Sequence, residues 1–330
     1  MMRIAMLSGW HVHAHGYARE IQSRQDARIT AVWDEDPERG RNWAAELGVP
    51  FDESLDAVLG RGDVDGVVIN TPTNRHTEVI VAAAKAGKHI FTEKVMALTV
   101  KECIEIEEAV REAGVKFCIS FPQRTWPINL LAKQVVEEGL LGDVTLMRVR
   151  NAHNGASAGW LPPHFYDPVA CGGGAMMDLG AHPMYLIRWI MGKPKRITAM
   201  FTHYTDHEVE DNAVAMIEFD NNSIAVSETG FVSQGSPFTL ELHGTQGVYI
   251  VGGPERQVRL HSTKLNDGNG WIIPTRMPAA LPSPMDQWIR GVLEDAPIHF
   301  GLEEGTQLTE LMEGAMRSYK QGCQIEFPLD

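Results

Sequence analysis

The first third of the chain alternates short apolar runs with longer segments of helical period, and this alternation narrows the possible folds more than any other feature. Residues 3–8, 28–33, 66–70, 88–92 and 115–120 read as strands, and residues 17–25, 37–47, 55–59, 77–86 and 99–113 read as the helices between them. The run at 66–70 has no polar alternation, as expected of a strand in the middle of a parallel sheet covered on both faces. The punctuation agrees, since Pro37 stands where a helix can start and Gly48 and Gly87 stand where one stops. A repeated β-α-β pattern of this kind predicts a doubly wound Rossmann domain over residues 1–121.

Beyond Phe121 the texture changes. Irregular stretches come first, followed by alternating apolar and polar residues at 144–150, 197–205, 213–219, 223–231, 238–244 and 248–251. Turn signals such as Asp220-Asn221-Asn222 and Gly252-Gly253-Pro254 join these segments. The pattern predicts an α+β domain over residues 122–330 with a large, mostly antiparallel sheet covered on one face. A length of 330 residues also exceeds what one core ordinarily holds. The proline-rich stretch 274–284 reads as a connector to C-terminal helices, which are free to pack back on the first domain.

Bulk properties exclude some function classes. A formal net charge of −14 with no basic run argues against a nucleic-acid surface. No stretch reaches the ~20 apolar residues of a membrane span, and the N-terminus lacks the apolar core of a signal peptide. A cytoplasmic location is therefore expected. Cys103, Cys118, Cys171 and Cys323 are widely separated and form no CxxC pair, so all four read as buried thiols.

A dinucleotide on such a sheet sets its pyrophosphate at the helix N-terminus after the first strand, where free N–H groups and the helix dipole favour an anion. The turn there, Ser8-Gly9-Trp10-His11-Val12-His13-Ala14-His15-Gly16, is not a G-x-G-x-x-G. The second strand does end in an acidic residue, Asp34, placed to accept both ribose hydroxyls of NAD and to repel a 2′-phosphate. Asp34-Glu35-Asp36-Pro37 also reads as a helix cap, and Asp36 fits the capping position better, which leaves Asp34 free for the ribose. Arg39 and Arg41 stand nearby and keep NADP as an alternative.

Three ordered segments, Asn70-Thr71-Pro72-Thr73-Asn74-Arg75-His76, Phe91-Thr92-Glu93-Lys94 and Gly172-Gly173-Gly174-Ala175-Met176-Met177-Asp178-Leu179-Gly180-Ala181-His182, resemble the Gfo/Idh/MocA family of glucose-fructose oxidoreductases and inositol dehydrogenases. The resemblance covers nearly the whole chain, including a C-terminal helix and short polar strand within residues 312–328. It implies an NAD(P)-dependent dehydrogenase acting on a CH–OH group of a sugar or polyol, assembled as a homodimer or homotetramer through the open sheet of its second domain. It also implies that Gly9, Trp10, His11, Val12, Thr71, Pro72, Asn74, His76, Glu93 and Lys94 lie beside the cofactor. The chain departs from the family pattern twice. Val95 replaces the proline of a Glu-Lys-Pro motif, which predicts a different placement of Lys94, and Ser8, Trp10 and His13 replace the glycines of the first turn.

Oxidising a secondary alcohol requires a base for the hydroxyl proton while hydride leaves the same carbon. His182 is the candidate base. Asp178, four residues earlier, shares a face with it if the segment is helical and then orients the imidazole. Lys94 is the candidate for stabilising developing alkoxide. The plainer alternative is that Asp178 and His182 cap a helix that begins near Pro183. Arg124, His153, Trp160, His164 and Tyr166 suit a hydroxylated ring and are the candidate substrate contacts, each of which also reads as ordinary surface or packing. Two rival functions remain. One is a metal-dependent hydrolase using His11, His13 and His15, which needs a barrel; the other is a non-catalytic dinucleotide sensor. The dehydrogenase reading itself requires no metal.

Overall fold

The computed structural model describes residues 1–265 and 268–329. The chain divides into two compact units, the first made of Met1–Ser120 and Pro282–Thr309 and the second of Phe121–Leu281 and Glu310–Asp330.

In the first unit, β1 (Met2–Leu7), β2 (Ala27–Trp33), β3 (Gly66–Ile69), β4 (His89–Thr92) and β5 (Phe117–Ile119) form a parallel sheet in the order β2-β1-β3-β4-β5. The helices between them are α1 (Ala14–Gln22), α2 (Pro37–Leu47), α3 (Leu55–Leu59), α4 (His76–Lys85) and α5 (Val100–Ala113). Their ends follow local chemistry. Asp36 caps α2, Pro37 begins it, and Gly48 stops it at φ 68°. Thr99 and Glu102 form a capping box on α5, which Gly114 closes at φ 65°. Helix α1 begins at Ala14, three residues earlier than its apolar period indicates. The unit is completed from far along the chain by α10 (Pro284–Glu294), whose fully buried Trp288 lies 5.8 Å from the Phe91 ring.

The second unit is built on an eight-stranded sheet of β6 (Val144–Ala152), β7 (Pro194–Thr202), β8 (Asn212–Phe219), β9 (Ile224–Gly230), β10 (Thr239–Gly244), β11 (Gly247–Gly252), β12 (Gln257–Ser262) and β13 (Ile325–Glu326). Its order is β12-β11-β10-β6-β9-β8-β7-β13, antiparallel except where β6 runs parallel to β9. Burial alternates residue by residue along β8, as a one-sided sheet requires. The helices here are α6 (Pro127–Glu137), α7 (Pro168–Cys171), α8 (Ala175–Asp178) and α9 (Ala181–Met191), and α11 (Leu302–Gln321) ends in this unit. Helix α9 covers β6 and β9 with Met184, Leu186, Ile187 and Ile190, each worth about 1.5–3 kcal/mol of burial.

Two findings differ from the sequence reading. Helix α6 and strand β12 are not among the elements expected from the sequence. Cys323 is exposed, whereas Cys103, Cys118 and Cys171 are buried; Cys323 follows α11 and its terminal Gly322, outside the core. Among the described residues, no helix is long and apolar enough to cross a membrane.

Candidate active site

The turn after β1 is held by side chains rather than by glycines. Ser8 adopts φ 72°, a left-handed conformation usually left to glycine. Its hydroxyl accepts the Trp10 N–H at 3.0 Å and donates to Glu35 Oε1 at 2.9 Å, which links the turn to the end of β2. Trp10 and His11 are buried and Val12 is exposed. The His11 N–H reaches the Asn70 carbonyl at 3.2 Å, tying the turn to the end of β3 as well.

Asp34 is fully engaged, which corrects the expectation that it stands free. Oδ1 accepts the Asp36 N–H at 2.8 Å and Arg39 Nη2 at 2.5 Å, and Oδ2 accepts the Gly9 N–H at 2.8 Å and Arg39 Nε at 2.9 Å. The Asp34 side chain is 0% exposed. A buried carboxylate needs compensation, and the planar fork of Arg39 supplies it bidentately. Asp36 caps α2 as expected. Burial, reinforced by the Asp34 charge, raises the Glu35 carboxyl above its ordinary range. Arg41 instead pairs with Glu53 at 3.0 Å.

At the carboxyl end of β3, Asn70 and Thr71 are buried, and Asn70 Nδ2, Asn70 Oδ1 and Thr71 Oγ1 have no hydrogen-bond partner among the described residues. Buried polar atoms left open in this way at strand ends suit a polar ligand, and this is where a doubly wound sheet binds dinucleotides. Pro72 is buried beside them and Asn74 is exposed. His76 opens α4 with Nδ1 2.8 Å from the Val95 carbonyl and Nε2 3.1 Å from the Thr71 carbonyl, of which a neutral ring can donate to only one. Burial lowers its pKa and favours the neutral ring.

Glu93 and Lys94 follow β4 directly and both are buried. Glu93 Oε1 lies 2.8 Å from His13 Nδ1 and accepts the Tyr17 hydroxyl, and Oε2 accepts the Lys94 N–H at 3.0 Å. Ser120 Oγ sits 2.8 Å from the same Tyr17 oxygen. Burial opposes charge on Glu93, yet His11, His13 and Lys94 hold its carboxyl well below the usual range. Burial and the Glu93 charge drive the Tyr17 phenol well up. The Lys94–Val95 peptide is cis.

In the second unit, Asp178 and His182 do not share a helix. Asp178 ends α8 and His182 lies in α9, with Leu179 and Gly180 between them. A Cβ on Gly180 would lie 2.4 Å from the Met176 carbonyl oxygen, so this close approach needs glycine. His182 Nδ1 meets the Tyr185 hydroxyl at 2.8 Å; that oxygen also accepts the Gln123 N–H at 3.1 Å, and the Tyr185 ring stacks on Phe121 at 4.4 Å. The Asp178 charge acts on His153, whose pKa burial lowers. His153 lies between Phe231, at 5.1 Å, and the exposed Trp160, at 4.6 Å. Tyr166 packs on the cluster containing Phe231 and stacks on His207. Arg124 lies over the Trp189 ring at 4.9 Å, and the His164 carbonyl accepts the Cys171 thiol at 3.3 Å.

The three histidines of the first turn do not converge. His15 lies on α1 with its ring 5.2 Å from Trp43, while His11 and His13 approach Glu93. The open five-stranded sheet also removes the barrel that the hydrolase reading needs. Sequence reasoning missed Tyr17, Asn70, Ser120 and Tyr185. Tyr17 stands four residues after His13 and Tyr185 three after His182, helical spacings that could have flagged both.

Two family models match the chain, the oxidoreductase family with NAD-binding Rossmann fold over residues 8–121 and the GFO/IDH/MocA C-terminal domain over residues 129–250. The chain belongs to the GFO/IDH/MocA oxidoreductase family. It is 25% identical over 323 residues to inositol 2-dehydrogenase of Rhizobium meliloti (strain 1021), covering 94% of each chain. It is 28% identical over 242 residues to scyllo-inositol 2-dehydrogenase (NAD(+)) of Bacillus subtilis (strain 168), covering 70% of this chain and 68% of that one. The structure of levoglucosan dehydrogenase in complex with NADH and levoglucosan shares the fold, with a TM-score of 0.83 at 20% identity over 99% of each chain. As a family member, the protein is an NAD-binding oxidoreductase.

Proposed function

We propose that the protein is an NAD-dependent dehydrogenase that moves hydride between a secondary alcohol of a sugar or polyol and the nicotinamide ring. The observation that carries this reading is the set of buried polar groups at the carboxyl ends of β3 and β4, where the open atoms of Asn70 and Thr71 accompany the Glu93-Lys94 pair. When bound, NAD supplies the hydride acceptor; the chain supplies binding, orientation and proton handling. Lys94 donates a hydrogen bond to the substrate oxygen and stabilises alkoxide character. His182 takes the hydroxyl proton at Nε2, which requires its own proton to sit on Nδ1 and be donated to the Tyr185 oxygen. Asp178 acts as a charge near His153, which with Trp160 and Tyr166 supplies the mixed polar and aromatic surface that suits a hydroxylated ring. The names of the inositol dehydrogenase relatives favour the same substrate class.

The outer face of the second unit's sheet favours a homo-oligomer. Met200 and Val214 stand opposite each other across β7 and β8, and they are exposed there together with Met216 and Ile224. A second copy covering this face would remove that apolar surface from water. The widely spaced cysteines favour a cytoplasmic location.

Fluorescence titration of the metal-stripped protein with NADH and with NADPH tests the reading. NADH is expected to bind more tightly, with Arg39 yielding so that ribose hydroxyls reach Asp34. Preference for NADPH would make Arg39 the selector and keep the reaction class. Failure to bind either dinucleotide would overturn the proposal.

A further inference from the structure

His11 and His13 meet Glu93, and the reaction proposed above gives neither imidazole a proton or hydride to move. His13 Nδ1 lies 2.8 Å and His11 Nδ1 3.7 Å from Glu93 Oε1, and the three donor atoms all lie within 4.8 Å of one another. The two imidazole rings are 4.6 Å apart. His11 and Glu93 are buried, while the His13 side chain is 45% exposed, which leaves one side of the cluster open to water.

We propose that His11, His13 and Glu93 form a binding site for one divalent transition-metal ion of the zinc class. Two imidazoles and a carboxylate are the donor set that suits zinc or cobalt, whereas calcium and magnesium seek all-oxygen cages. Three protein donors leave a further coordination position for water, so the ion is exchangeable. The supporting groups are already oriented. His11 Nδ1 accepts the His13 N–H at 3.2 Å, so this nitrogen carries no proton, and a bound ion would take its lone pair in place of that hydrogen bond. The Tyr17 hydroxyl and the Lys94 N–H fix the two oxygens of Glu93, the kind of outer contact that orients a ligating carboxylate. The half-exposed His13 side chain holds the open side of the cluster, where an ion would take the place of its hydrogen bond with Glu93. His15 faces Trp43 and takes no part.

The site stands whether or not the dehydrogenase reading holds, because its test measures retained metal and not turnover. Untagged full-length protein is dialysed against cobalt, and bound metal is read from elemental analysis and from the visible absorption of low-coordinate cobalt. Wild type is expected to retain one equivalent with a visible band, and His13→Ala to bind about tenfold or more weakly. Glu93→Gln is expected to lose the band as well; should that buried change impair folding, the half-exposed His13→Ala still decides. His15→Ala is expected to match wild type. Absence of stoichiometric cobalt in wild type, wild-type retention by His13→Ala, or an equal loss in His15→Ala would each overturn the site.

Discussion

The carboxyl ends of β2 and β4 each bury a carboxylate, and the two are compensated by different chemistry. Asp34 is locked by an arginine fork and two backbone N–H groups, none of which loses its proton in the physiological range. Glu93 is surrounded by two histidines, a tyrosine and a lysine, and histidine is the side chain whose charge ordinarily changes near neutral pH. The same sheet thus carries one carboxylate with a fixed electrostatic setting and another whose setting responds to pH and ligands. The first kind suits a structural clamp and ribose recognition, the second suits chemistry.

The largest expected effect tests whether the β4 end is the reactive one. Lys94→Ala should lower kcat by on the order of 10²–10³-fold while NADH affinity, followed by fluorescence, stays within a few fold, and His182→Ala should behave alike. Near wild-type turnover in Lys94→Ala would erase the functional half of the contrast. Next comes Arg39→Ala, which leaves the Asp34 charge with only backbone donors and should cost about 3 kcal/mol in urea unfolding, with the same loss at about pH 6 and about pH 8. A loss that varies between those pH values would show that the clamp is not fixed.

The smallest effect sharpens the comparison. Glu93→Gln should cost about 1–3 kcal/mol near neutral pH. Because the folded-state pKa of Glu93 lies well below its ordinary 4.5, the unfolded chain binds the proton more readily. The contribution is therefore fully present above the unfolded value and is lost as pH falls through the folded one. Urea unfolding of both proteins from about pH 6 down to about pH 3 should show the gap closing; a gap constant across that range would show that the folded protein does not hold the Glu93 charge.

Fold class and element order were legible because hydrophobic period and turn residues act locally, as at Pro37, Gly48 and Gly87. The motif residues Glu93, Lys94 and His182 were legible through resemblance. The partners were not. His13 and Glu93 are 80 residues apart and meet only because β1 and β4 end at the same edge of the sheet. Asp34 was read as free because the reach of Arg39 back over one helical turn depends on side-chain direction, which no period reveals. The single helix that the Asp178–His182 spacing assumed is instead two, α8 and α9, with Leu179 and Gly180 between them and Gly180 packed closely on Met176.

The return of residues 282–309 to the first unit bears on how this protein is made and dissected. Trp288 fills space against Phe91 and the glycine at 66, and the Phe300 carbonyl accepts the Ile119 N–H at 2.9 Å. During synthesis the N-terminal sheet therefore waits, without its closing helix, until residues 282–309 have left the ribosome. A fragment cut after Ser120 would carry an uncovered apolar edge, so a separately expressed dinucleotide module needs the distal segment grafted on.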